Sequence, residues 1–205
     1  MHSLKRFFDD QFLNLLEAQA EAVRRSVNVL SQHLRGELKT PEDYASARSR
    51  VVGIREDISS LLIKNVKSNV LGEDIEALAS ALAEIQRSVE QAAARFALHS
   101  DHVAEVDFAV HAFELEKAAD LIPPLVMQLR EFAEVKQPQE LNALLQNVED
   151  ESDAVVSASL KKLCDGQHDP LRVVLLKDLF EHVQKIIAGC CQLGKLVLQT
   201  ALKNG

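Results

Sequence analysis

The 205-residue sequence contains few aromatic, glycine, proline and cysteine residues. It has one tyrosine and no tryptophan, whereas Ala, Leu, Glu, Gln and Lys are abundant. Strands are enriched in aromatic and β-branched residues, so this composition favours helices. No segment combines the alternating pattern and the turn residues that are typical of a hairpin. We therefore expect an all-α protein.

Positive charge is also scarce, with 23 basic against 31 acidic residues and a net charge of −8. No block of Lys and Arg forms a basic arm, so a general nucleic-acid surface and nonspecific adhesion to an anionic membrane are both disfavoured. The longest apolar runs fall far short of the roughly 20 residues that cross a bilayer. The N-terminal segment carries charges where a signal peptide has an apolar core. The three cysteines, Cys164, Cys190 and Cys191, cannot all pair within the chain and fit a reducing cytoplasm as buried small hydrophobic residues.

Apolar residues at helical spacing, with breaks between them, predict six long helices. The first extends from about Leu4 to Arg35, and the fourth begins near Ser100. Pro123-Pro124 should kink or interrupt the fourth helix, because each proline removes a backbone hydrogen bond. The other breaks are predicted at Gly36 to Pro41, Asn69 to Gly72, Gln137-Pro138 and Cys164 to Pro170. Short loops and narrow apolar seams indicate one antiparallel bundle, a single domain over residues 1–205.

The sequence also contains an internal repeat. A shift of 97 residues places Val51 on Val148 and Ile58 on Val155. We interpret this as two three-helix halves, about 1–99 and 100–205. Two helices in each half carry an equivalent pair of residues four apart, which lie on one helix face. These four repeat positions are Val52/Glu56, Ala83/Arg87, Glu149/Asp153 and Gln184/Ala188.

Several short features, taken in order, resemble the PhoU-like proteins. They are the Phe-rich start at Phe7-Phe8 and Phe12, Glu73-Asp74-Ile75, the segment 177–181, and the ending Leu202-Lys203-Asn204. The closest likeness is to the branch described as phosphate transport regulators or accessory proteins of inorganic phosphate permeases. The resemblance implies a PhoU-like antiparallel bundle of six long helices built from two three-helix repeats. It also implies a non-enzymatic regulator that docks onto an inorganic phosphate permease or related membrane transporter. Such a protein would be cytoplasmic and peripheral at the inner membrane face, with self-association left open and no nucleic acid as partner.

PhoU-like proteins carry an E/D-x-x-x-D motif at each repeat position, where they can hold multinuclear iron or zinc-type clusters. In this sequence only Glu149 and Asp153 keep both acids, while Glu56 is the surviving acid of the first pair. Glu181, one turn before Gln184, completes the candidate set for a divalent or iron-type metal ion, with His182 as a further candidate. Arg87 would repel a cation.

Two carboxylates on one helix are too few for such ions, which need several ligands in a set geometry. We therefore predict a largely degenerate metal motif with no resident cofactor. A solvated acidic stripe on a surface helix is the alternative interpretation of the same residues.

Two other functions stay open from the sequence. One is a helical scaffold or dimerisation module unrelated to phosphate. The other is a ferritin-like carboxylate metalloprotein, although His111 and Glu114 stand in the reverse order of a Glu-x-x-His motif. No Gly-rich phosphate loop, catalytic triad order or zinc-type cysteine spacing is present. We therefore expect no enzymatic activity and no direct binding of phosphate.

Overall fold

The computed structural model describes residues 10–37, 42–64, 72–103, 106–130, 136–164, 166 and 168–204. Within these ranges the chain forms α1 (Asp10–Leu34), α2 (Glu42–Lys64), α3 (Gly72–Leu98), α4 (Ser100–Val103), α5 (Ala109–Asp120), α6 (Ile122–Met127), α7 (Lys136–Leu163) and α8 (Pro170–Asn204). A 3-10 turn at Gln128–Arg130 follows α6. The described residues contain no strand, which confirms the prediction of an all-α protein. The predicted start of the first helix before Asp10, the Phe7-Phe8 pair and the break at Asn69 lie outside the described residues.

Local chemistry accounts for several helix ends. Gly36, two residues after α1, has a φ of 73°, a conformation that glycine adopts without a Cβ clash. α8 begins at Pro170, where the missing N–H removes no helical hydrogen bond. Just before it, Oδ1 of Asp169 accepts a hydrogen bond from the backbone N–H of Leu171 at 3.3 Å. Pro138, predicted in a break, instead lies buried in the first turn of α7.

The fourth predicted helix is the main departure from the sequence-based expectation. It does not continue from Ser100, because α4 ends at Val103 and residues 106–108 are not helical. The ring of Phe108 packs instead in the core, 5.0 Å from the ring of Phe96 and 5.9 Å from that of Phe180. Oδ1 of Asp107 accepts a hydrogen bond from the N–H of Ala109 at 2.8 Å, so an Asx-turn satisfies the first amide of α5. Burial of a phenylalanine therefore offsets the lost helical hydrogen bonds.

The second predicted interruption, at Pro123-Pro124, is present. α5 ends at Asp120 and α6 begins at Ile122, with proline in its first turn. The missing amides therefore fall where a helix has no internal partner for them.

Side-chain pairs show that three pairs of neighbouring long helices run antiparallel. Arg48 and Arg55 of α2 pair with Glu90 and Glu76 of α3, so the residue numbers rise in opposite directions. The same opposition relates α3 to α8 through Arg95–Asp178 and Lys203–Asp74. It also relates α7 to α8, where Asn142 faces Gly194 and Asp153 bonds Gln184.

One hydrophobic core extends through the bundle. Its centre includes fully buried residues at heptad spacing on α1, namely Leu16, Val23 and Leu30. α1 packs on α2, α3, α5 and α6, and α8 packs on α3, α5, α6 and α7. α2 lies against α1 and α3, and α7 lies mainly against α5 and α8, so α2 and α7 are the flanking helices. Of the helices in the described ranges, none has the length and apolarity needed to span a membrane.

Candidate functional site

The four repeat positions lie in two clefts, each between a flanking helix and a central one. Val52/Glu56 and Ala83/Arg87 line a cleft of about 730 Å³ between α2 and α3, here called the α2–α3 cleft. Glu149/Asp153 and Gln184/Ala188 line a cleft of about 220 Å³ between α7 and α8, here called the α7–α8 cleft. The antiparallel packing brings each pair of positions to the same level, so residues far apart in the chain share one surface.

The α7–α8 cleft collects three of the four candidate metal ligands, Glu149, Asp153 and Glu181. Nε2 of Gln184 donates a hydrogen bond to Oδ1 of Asp153 at 2.6 Å. Ser152 is buried beside them, and its Oγ has no hydrogen-bond partner. The side-chain amide of Gln184 therefore occupies the position next to Asp153 where a further metal ligand would be needed.

The donor set of this cleft does not fit a multinuclear metal cluster. Glu181 pairs with Lys177 at 3.1 Å, and Lys185 also lines the cleft, with its Nζ donating to Oε1 of Gln91 at 3.0 Å. In the part of the chain that the structure describes, no three His, Cys, Asp or Glu side chains converge closely enough to hold one metal ion. A multinuclear cluster needs several anionic or imidazole ligands on each ion, and cationic neighbours oppose it.

Two further residues lie near this cleft, His182 and Cys191. His182 lies with its Nε2 3.9 Å from Asp178, and burial lowers the pKa of its imidazole. Sγ of Cys191 donates to the carbonyl of Leu145 at 3.3 Å. Burial, reinforced by the negative charge of Glu149, raises the pKa of the Cys191 thiol to about 12.

Cys190 is fully buried as well, and burial raises the pKa of its thiol. Both thiols are thus protonated and unreactive at neutral pH, as expected for core cysteines. The prediction that Cys190 belongs to the core is confirmed. The expectation that all three cysteines are buried is wrong for Cys164, which is exposed at the C-terminal end of α7.

The fourth candidate ligand, Glu56, lies in the α2–α3 cleft and is thereby separated from the other three. Three arginines, Arg48, Arg55 and Arg87, line this cleft. Their positive charges oppose a cation and favour an anion. The structure therefore gives the two clefts different electrostatic character, although the repeat relates their positions.

His111 and Glu114, considered above as part of a ferritin-like motif, are buried but engaged elsewhere. The ring of His111 stacks on Phe180 with centroids 4.6 Å apart, and burial lowers the imidazole pKa to about 4. Glu114 pairs with Nζ of Lys117 at 3.0 Å, and Lys117 also pairs with Glu151. A lysine therefore neutralises the carboxylate that a metal would need.

Arg48, Arg55 and the buried Gln86, which line the α2–α3 cleft beside Arg87, were not identified from the sequence. A signal was available, because Arg48, Val52, Arg55 and Ser59 recur every three or four residues and so share one helix face. Gln86 carried no such signal, because its position in the apolar seam of α3 looks like an ordinary polar substitution.

No model of a known protein family matches this chain, and no curated protein sequence matches it either.

Proposed function

We propose that this protein is a non-enzymatic regulator or accessory of inorganic phosphate transport that acts by docking onto a membrane transporter. In this proposal the chain has a PhoU-like plan of six long helical rods in two three-helix halves, with α5 and α6 together forming one kinked rod. The observation that carries the proposal is the pairing of the four repeat positions. α2 pairs with α3, and α7 pairs with α8, in two clefts placed alike in the two halves.

The proposed docking surface is the exposed face of α7. This flanking helix presents exposed acids at Asp150, Glu151 and Asp153. Membrane transporters carry an excess of Lys and Arg in their cytoplasmic loops. An acidic helix on a chain of net charge −8 would be steered towards such loops.

We propose further that docking requires no metal cluster. Gln184 donates to Asp153 through its amide, and Lys177 pairs with Glu181, so both of these carboxylates already have partners. The protein would then share only its helix arrangement with a metal-binding bundle. The side chains alone would set the charge of the exposed face of α7.

Affinity purification with an inorganic phosphate permease in detergent tests this proposal. The complex should form at low ionic strength and weaken at physiological ionic strength, because the attraction between exposed charges is screened. Asp150→Lys should weaken binding several-fold through slower association. Asp57→Lys on α2 is the matched control, since Asp57 is equally exposed but lies on the opposite flanking helix.

Deletion of the gene should in parallel alter phosphate uptake or polyphosphate accumulation. Unchanged uptake, together with purification that recovers no permease, would refute the phosphate assignment. Self-association without a transporter would instead favour the helical scaffold or dimerisation module.

A further inference from the structure

The α2–α3 cleft contains buried polar atoms that have no partner. Gln86 is only 2% exposed and its Oε1 accepts no hydrogen bond, while Nε of Arg55 is buried and donates none. Unpaired buried polar groups cost free energy, so an acceptor and a donor lining the same cleft form an incomplete network. The cleft volume of about 730 Å³ lies in the range of roughly 300–1,000 Å³ that is typical of small-molecule sites.

The charged groups of this cleft are arranged to receive an anion. Arg48 lies 3.6 Å from Glu90 and Arg55 lies 3.5 Å from Glu76, which is long for a charge-assisted hydrogen bond. Arg87 pairs with Glu84 at 3.1 Å on the exposed surface. Such exposed pairs are weak, so the guanidinium groups can turn towards an oxyanion, which they bind in a bidentate manner.

Two acids share the cleft with the arginines. Glu90 is held by Nε2 of Gln86, which donates to its Oε1 at 3.1 Å, and by the pair with Arg48. Glu56 is exposed. Glu76 and Glu84, which pair with Arg55 and Arg87, lie beside the lining. Together with Glu56 and Glu90 they set four carboxylates against three arginines, so an anion binds by displacing these carboxylates from the guanidinium groups.

The wall beside the arginines is apolar. Val52 is 43% exposed and Ile63 is 74% exposed, so both present apolar surface. Both line the same cleft. A bare inorganic anion would use the arginines but neither the apolar wall nor the orphaned acceptor of Gln86.

We infer that the α2–α3 cleft binds a phosphorylated organic anion of nucleotide size. The arginines hold the phosphate groups, and Val52 and Ile63 pack against the organic part. The side chain of Gln86, whose Oε1 is covered by protein in the unliganded chain, turns to accept a hydrogen bond from an amino or hydroxyl group of that part. This goes beyond the docking role proposed above and does not depend on it. Ligand binding is measured on the purified protein alone, so each proposal can fail while the other stands.

Isothermal titration of the full chain with ATP, inorganic triphosphate and inorganic phosphate, in buffer with a chelator, tests the inference. ATP should bind saturably and more weakly as salt rises, and it should bind more tightly than either inorganic probe. Arg48→Gln and Arg87→Gln should each weaken ATP binding about tenfold. Arg50→Gln is the matched control, because Arg50 is exposed on α2 but does not line the cleft.

Gln86→Leu separates the organic part of the ligand from its phosphates. This change removes the orphaned acceptor at similar volume, but it also removes the donor to Glu90, the partner of Arg48. The readout is therefore the ratio of ATP affinity to triphosphate affinity, which should fall severalfold. Thermal stabilisation by ATP should fall in step with affinity in every variant. The inference is wrong if ATP does not bind saturably at low salt, if triphosphate binds as tightly as ATP, or if Arg50→Gln loses as much affinity as the cleft variants.

Discussion

Acid destabilisation through His111 offers a sharp test of the core of this bundle. The imidazole is 3% exposed and stacked on Phe180, its Nδ1 has no partner, and the nearby Asp107 only partly opposes the effect of burial. Its pKa falls from an ordinary 6.5 to about 4. The unfolded chain therefore takes up the proton at a higher pH than the folded chain does.

The sign and size of the effect follow from this difference. Above pH 6.5 the imidazole is neutral in both states and its titration leaves stability unchanged. As the pH drops below that value, the free energy of unfolding should fall, by about 2 kcal/mol at pH 5 and by about 3 kcal/mol near pH 4. Burial also lowers the pKa of His33 and His182, so they contribute in the same direction and a variant of His111 removes only part of the slope.

Urea unfolding followed by circular dichroism at about pH 7.5 and pH 5 measures this term. His111→Phe keeps an aromatic ring against Phe180 and removes the titrating group, so its loss of stability on acidification should be about 2 kcal/mol smaller than that of the natural chain. His168→Gln, at an exposed position, should behave like the natural chain. If His111→Phe loses as much stability on acidification as the natural chain does, the burial argument is wrong.

Three other predictions concern helix packing, metal and thiols. Gly53→Ala should raise the free energy of unfolding by about 0.5–1 kcal/mol, because a Cβ there meets no atom within 4 Å. Gly194→Ala should lower the free energy of unfolding by about 1–2 kcal/mol, because its Cβ would lie 2.8 Å from Oδ1 of the buried Asn142 on α7. Elemental analysis should find less than about one transition-metal ion per natural chain. The double variant Gln184→Glu with Ala188→Asp should bind more metal, because carboxylates replace an amide and a methyl group. A stoichiometric cluster in the natural chain would contradict the prediction of a degenerate metal motif. A thiol-specific reagent should modify only Cys164 rapidly in the native protein and should reach the two buried cysteines after unfolding, so rapid modification of all three would contradict their burial.

The helical class and most helix ends could be predicted from the sequence, because they depend on local chemistry. Apolar spacing decides which residues can share a helix face, and a proline in the first turn at Pro170 or a glycine at Gly36 acts within one turn of the chain. The same reasoning predicted that Glu149 and Asp153 share a face, since residues four apart on a helix always do.

Only the tertiary structure decided where the helices are interrupted by packing in the core and which residues each helix face contacts. Residues 106–108 leave the helix where Phe108 packs between Phe96 and Phe180, and Phe180 is distant in the sequence. Local propensity contains no information about that burial, and tertiary packing overrides it.

The electrostatic character of the two clefts likewise could not be predicted from the sequence. Antiparallel packing pairs Gln184 with Asp153, places Glu56 in the α2–α3 cleft away from the other three candidate ligands, and brings Gln86 into a cleft that three arginines also line. The sequence by itself determined which residues line a helix face. Which charges meet across two helices depends on their packing and register, because electrostatic interactions act over distances in space and not along the chain.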